Sequence, residues 1–231
     1  MTKTGWIIFV TAVVLGLGSL IVWTRMANPP LDVSDVNTAS IVAASEKSGN
    51  IGDHVTGKED SKVILFEYGD FQCPGCGAAS PYVQTLLEEY GDRIAFVFRN
   101  FPLTSMHPNA KSAAAAAEAA GLQGKYWEMN KHLFQAQSEW SSADAKSRTD
   151  TFMGYANSLG LDVDKFKEDM ASSNVTKKIS FDQALGGKDE VSATPTFLLN
   201  GKIVSEDASG GITSGNLDPI KKAIDELLAK Q

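Results

Sequence analysis

The chain has 231 residues and a formal net charge of −7, with a pI near 5.0, so it lacks the basic surface that nucleic acid requires of a partner. Its two cysteines stand three positions apart, and its three histidines (His54, His107, His132) form no close pair. That count excludes a disulfide-stapled small domain and a structural zinc site, and it points the cysteines toward redox work with neither metal nor cofactor expected.

From Trp6 to Trp23 the chain reads WIIFVTAVVLGLGSLIVW without a charge. A helix of that length spans roughly 27 Å, close to the hydrocarbon thickness of a bilayer. Tryptophan at both ends suits the membrane–water interface. A cleaved signal peptide is the rival reading, but the apolar run passes Gly16-Leu17-Gly18 without interruption and Arg25-Met26-Ala27 is a poor cleavage site. Residues 1–25 are therefore expected to be an uncleaved transmembrane anchor. Lys3 and the terminal amine precede the span and Arg25 follows it, which favours an extracytoplasmic globular domain on a single-pass anchor. No cysteine lies near the span, which rules out a lipoprotein anchor.

Residues 26–50 turn small and polar after Asn28-Pro29-Pro30. They lack periodicity and are expected to be a flexible linker, with room for a short ordered piece near Thr38–Ser45. The globular domain is expected over residues 51–231.

Lys62–Tyr68 (KVILFEY) is almost continuously apolar, as in a strand covered on both faces at the middle of a sheet. Gly69-Asp70-Phe71-Gln72 leads into Cys73-Pro74-Gly75-Cys76, then a helical pattern runs through Val83, Leu86, Leu87 and Tyr90. Arg93–Arg99 reads as the next strand. In this β–loop–α–β setting a C-x-x-C pair is a redox pair. Pro74 suits a first helical turn. Cys73 then sits at the helix N-terminus, where free N–H groups stabilise a thiolate, and Cys76 lies one turn on, within reach of a disulfide. Cys73 is the expected attacking and leaving sulfur, Cys76 the buried resolving one. Glu67 lies inside the apolar run with no basic neighbour in sequence, so burial should raise its pKa and equip it to shuttle a proton.

Between 100 and 195 the pattern is helical throughout: Ala110–Ala120, an amphipathic segment from Tyr126 to Phe134, then Thr151–Leu159, Val163–Met170 and Val175–Leu185. The Trp127 and Phe134 cluster reads as core, and His107 and His132 receive no role. Thr196–Leu199 reads as a strand, with Asn200-Gly201 as a hairpin turn into Lys202-Ile203-Val204. Pro195 at the strand start fits an edge position or a tight cis turn. Asp218-Pro219 opens a last helix over 220–230.

Three fragments together resemble the DsbA-like branch of the thioredoxin superfamily: Phe66 to Cys76, Thr194-Pro195-Thr196-Phe197, and Arg99 to Leu103 followed by His107-Pro108 and the Ala-rich helix. The resemblance covers about residue 53 to the C-terminus. It implies an α/β thioredoxin fold, a central mixed sheet of four or five strands flanked by helices, with a helical subdomain inserted at about residues 103–188. It also implies catalytic roles for Cys73, Cys76, the buried acid Glu67 and a cis Pro195. Thr194, with Pro74 and Gly75, would border the bound substrate. The branch's strongest oxidants carry Pro-His between the cysteines where this chain has Pro-Gly, which suggests a less oxidising couple. The expected activity is oxidation of exported proteins, with a membrane redox partner; reductase or isomerase work at the same site is the alternative, and a non-catalytic module or metallochaperone a more distant one.

Overall fold

The computed structural model describes residues 2–27 and 31–230; of residue 8 and residues 20–27 it describes the backbone alone. The chain divides into two compact units at the Asp32/Val33 boundary. The first contains one helix, α1 (Lys3–Ala27), which takes in the whole charge-free run. Among the described residues, no helix is long and apolar enough to cross a membrane. The side chains of residues 20–23, the end of the expected span, lie outside those described.

The second unit alternates strands and helices. In order come β1 (Val55–Gly57), β2 (Ile64–Gly69), α2 (Pro74–Tyr90) and β3 (Ala95–Asn100). The insertion follows as α3 (Ala110–Gly121), α4 (Tyr126–Gln135), α5 (Gln137–Trp140), α6 (Ala145–Ser158), α7 (Val163–Met170) and α8 (Ser173–Lys188). The chain closes with β4 (Thr196–Leu199), β5 (Lys202–Ile203), α9 (Glu206–Ser214) and α10 (Asp218–Leu228). The strands form one sheet in the order β1-β3-β2-β4-β5. Only the β2–β3 pairing is parallel.

Central placement explains the sequence of β2. With β3 on one side and β4 on the other, all six of its residues are buried. Successive side chains alternate faces. Leu65 packs into a core with α2 and the inserted helices, while Ile64, Phe66 and Tyr68 pack with Phe181 and Leu185 of α8. Glu67 shares the face of Leu65 and is turned toward α2. The hairpin forms as the residue types require: Asn200 and Gly201 both take positive φ, 50° and 76°, the turn that Asn-Gly favours. Three short elements escape the sequence patterns, the three-residue β1, the four-residue α5 and the glycine-bearing α9. Asp218 lies inside the first turn of α10 and makes no cap bond.

The linker expectation needs correcting for residues 33–50; residues 28–30 lie outside the described residues. This stretch is docked on the domain. Val33 is buried against the α8 face of the sheet with Val36, Ile41 and Val42 packed beside it. Lys188 Nζ donates to the carbonyls of Val33, Ser34 and Val36. The Arg99 guanidinium donates to the carbonyls of Thr38 (2.8 Å) and Ser40 (3.0 Å). Asp53 accepts from the amide of Val42 (2.9 Å), and Thr38 Oγ1 donates to Asp189. An irregular segment satisfied by basic side chains far away in sequence leaves no periodicity to read.

Beneath this strap lies a buried ionic cluster. Arg99 Nη2 and Lys178 Nζ both reach Asp53, at 2.8 and 3.2 Å, and Lys178 also pairs with Asp182 at 2.7 Å. Asn100 links Asp182 to Glu118, and Glu118 in turn meets His54 at 2.9 Å.

Candidate active site

Cys73 is the N-cap of α2, in an extended conformation (φ −68°, ψ 124°), with Pro74 in the first turn. No side chain caps this end, so the free N–H groups of the first turn are left to the sulfur. Cys73 is 9% exposed and Cys76 fully buried, both as free cysteines. Cys73 Sγ lies 3.3 Å from the carbonyl oxygen of Thr194. The amide of Asp70 donates to Cys76 Sγ at 3.4 Å.

The two sulfurs are electrostatically opposite. A hydrogen bond from the Cys76 thiol, helped by contacts with Thr194 and the amides of Cys76 and Gly75, brings Cys73 down to about 5 against the opposing cost of burial. Burial first, then the hydrogen bond to Cys73 and the charge of Glu67, pushes Cys76 well above the ordinary thiol range. At neutral pH one sulfur is a thiolate and the other holds its proton.

Glu67 lies beneath them. Burial raises its carboxyl to about 8; the negative Cys73 adds to the rise and a hydrogen bond with Cys76 opposes it. Its Oε1 has no hydrogen-bond partner in the protein. Glu67 also lines a cavity of about 340 Å³ walled by Val83, Leu87, Phe96, Phe98, Trp127 and Phe134. Two glycines make this crowding workable. A Cβ on Gly69 would meet the Phe98 ring at 2.2 Å, and one on Gly75 would sit 3.1 Å from Pro195 Cδ and 3.6 Å from Cys73 Sγ.

The Thr194–Pro195 peptide bond is cis, and it leads into β4 at Thr196 beside Tyr68 of β2. The structure thus brings Cys73, Cys76, Glu67, Thr194, Pro195 and Gly75 to one place, with Pro74 at the helix start. Sequence reasoning missed the residues that hold this place in shape. Gln137 Nε2 of α5 donates to the carbonyls of Phe71 (2.7 Å) and Cys73 (3.0 Å). Gln72 joins Ser141 to the Asn109 amide. Asp70, next to the motif, collects several donors, His107 among them. For Asp70 and His107 the available signal was their place inside the fragments that carry the resemblance; Gln137 had none.

A family described as Thioredoxin matches residues 49–226. The chain belongs to the thioredoxin family. Solved structures of thiol–disulfide oxidoreductases share the fold: BdbD from Bacillus subtilis superposes with a TM-score of 0.64 at 24% identity, over 84% of this chain and all of that one. A thioredoxin-like oxidoreductase from Silicibacter pomeroyi gives 0.59 at 26% identity, over 78% of this chain and 98% of that one. Membership and geometry agree that the site is that of a thiol–disulfide oxidoreductase. Among curated proteins, the Na(+)/H(+) antiporter NhaA 1 of Salinispora arenicola is 44% identical over 150 residues, which is 65% of this chain and 22% of that protein. The antiporter NhaA 3 of Salinispora tropica is 42% identical over the same share. The chain spans only about a fifth of the length of these relatives, within the size of a single domain.

Proposed function

We propose that this chain is an extracytoplasmic oxidase that passes the Cys73–Cys76 disulfide to exported proteins. The observation that carries the direction is the depressed Cys73 thiol, at about 5. A stabilised thiolate favours the reduced enzyme, and a couple whose reduced form is favoured gives its disulfide away. In the donating step a client thiolate attacks Cys73 Sγ and forms the mixed disulfide. The Cys73–Cys76 bond breaks, its electron pair moves to Cys76 Sγ, and the Glu67 carboxylic acid supplies the proton. A second client thiolate attacks the client sulfur of the mixed disulfide and releases Cys73 as thiolate. Thr194, Pro195 and Gly75 border the sulfur under attack, so an extended client segment would lie against them. A membrane redox partner would then take the two electrons and restore the disulfide.

The charge-free stretch from Trp6 to Trp23, with tryptophan at both ends, supports a membrane tether and an extracytoplasmic domain. Reductase work is the second reading, favoured by glycine at position 75, where no side chain adds to thiolate stabilisation. Equilibration with glutathione separates the two. An oxidase gives a couple clearly more oxidising than thioredoxin's, about −270 mV, and in cells Cys73 is found mostly as disulfide. A couple at or below that potential, with Cys73 mostly thiol in cells, overturns the oxidase reading.

A further inference from the structure

Asp70 is the hub of the turn that carries both cysteines. Its side chain is fully buried and receives three donors. Oδ1 accepts from the amide of Gln72 at 2.7 Å. Oδ2 accepts from the amide of Leu103 at 2.9 Å and from His107 Nδ1 at 2.7 Å. Its backbone works in the other direction: the carbonyl accepts from the amide of Cys73 at 3.0 Å, and the N–H points at Cys76 Sγ at 3.4 Å. His107 is itself fixed, because its backbone N–H donates to the Leu103 carbonyl at 2.9 Å and its carbonyl receives the amide of Ala110 at the start of α3. The imidazole thus ties the base of the inserted helices to the residue whose amide faces the buried sulfur.

That amide matters in one step only. Whenever the Cys73–Cys76 bond opens or closes, negative charge develops on Cys76 Sγ, buried and remote from water. A hydrogen bond to a buried charge is worth more than one to a neutral group. Reactions confined to Cys73 place no charge on Cys76. A residue that aims the Asp70 amide therefore acts on the first kind of step and leaves the second alone.

We propose that His107 is a positioning residue for thiol–disulfide exchange: by holding the Asp70 carboxylate it keeps the Asp70 N–H on Cys76 Sγ and stabilises the Cys76 thiolate as the disulfide opens and closes. The inference rests on the exchange chemistry proposed for this site. Glutathione thiolate attacking Cys73 Sγ leaves glutathione bonded to Cys73, with the electron pair on Cys76 Sγ and the proton drawn from Glu67.

The test uses the whole chain and two reactions. The first is reduction of the Cys73–Cys76 disulfide by glutathione, followed by stopped flow. The second is attack of the Cys73 thiolate on oxidised glutathione in a Cys76→Ser background. His107→Leu removes the donor to Asp70 and should slow the first reaction about tenfold, the order set by a lost hydrogen bond to a charged group. The second should stay within about twofold. His107→Asn, whose amide nitrogen falls where Nδ1 sits, should recover the first reaction to within about threefold of the parent. Equal slowing of both reactions, or no slowing in His107→Leu, overturns the proposal, as does failure of His107→Asn to recover. Should His107→Leu not fold, the recovery by His107→Asn decides alone. A parent protein that does not react with glutathione would instead sink the exchange reading itself.

Discussion

Two of the buried polar clusters among the described residues are built on opposite rules. Around Arg99 and Lys178 opposite charges stand at hydrogen-bond distance: Asp53 meets both cations, and Asp182 meets Lys178. The guanidinium uses its remaining donors on the carbonyls of the strap. Around Cys73 the rule is reversed. Glu67 is buried without a cation, one of its oxygens has no partner, and its carboxyl is raised to about 8. Two cations together hold Asp53 down at about 2 although burial alone would raise it, whereas burial still raises Asp182 against the opposing charge of Lys178; Glu67, with no cation beside it, is left free to exchange a proton near neutrality. Pairing makes a fastening, and withholding the pair makes a reagent.

The contrast can be broken by removing a charge from each cluster. Arg99→Met should have the largest effect on stability, a loss of about 3 kcal/mol, because the strap carbonyls and Asp53 lose a buried partner. Urea unfolding measures it, and hydrogen exchange should show residues 33–53 opening first. A loss below about 1 kcal/mol would mean the paired cluster is not what fastens the strap.

Glu67→Gln should act in the opposite direction. In the unfolded chain this carboxyl ionises near 4.5 and in the folded chain near 8. Its contribution is therefore most favourable below pH 4.5 and is lost as pH rises toward 8. The glutamine variant should be more stable than the parent by about 2 kcal/mol at pH 6, with the gap still widening toward pH 8, and equal to it at pH 4. Opening of the disulfide should slow about a hundredfold for want of the proton donor. A parent and variant with parallel stability profiles from pH 4 to 8 would show that Glu67 titrates normally.

The smallest effect is expected at Gly75. Gly75→His would place an imidazole where the Cβ lies 3.6 Å from Cys73 Sγ, adding to thiolate stabilisation. The equilibrium with glutathione should shift about tenfold toward a more oxidising couple, about 30 mV. An unchanged or more reducing potential would show that the site already stabilises its thiolate as far as a neighbour at position 75 can.

What could be read in advance followed the range of each interaction. The central strand, the helix start at Pro74 and the Asn200-Gly201 turn announce themselves within a few residues, because burial, φ and missing N–H groups are local matters. Glu67 was legible for the same reason: an acid in an apolar run stands out. The strap was not, since its carbonyls are satisfied by Arg99 and Lys188, far along the chain, and it has no regular structure to repeat. Gln137 was invisible on the same ground, because nothing around it signals that its amide reaches Phe71 and Cys73.

That reach has a consequence for how the protein comes into being. The two carbonyls held by Gln137 belong to the turn that presents the reactive sulfur, and the amide that holds them is made later in the chain, within the insertion. Contacts of such separation form late in folding, after the loop between them has closed. In a nascent chain whose insertion has not docked, the turn that presents Cys73 is therefore not yet held by Gln137. The inserted helices thus fasten the redox turn from outside the sheet, and that turn takes its final shape only when they dock.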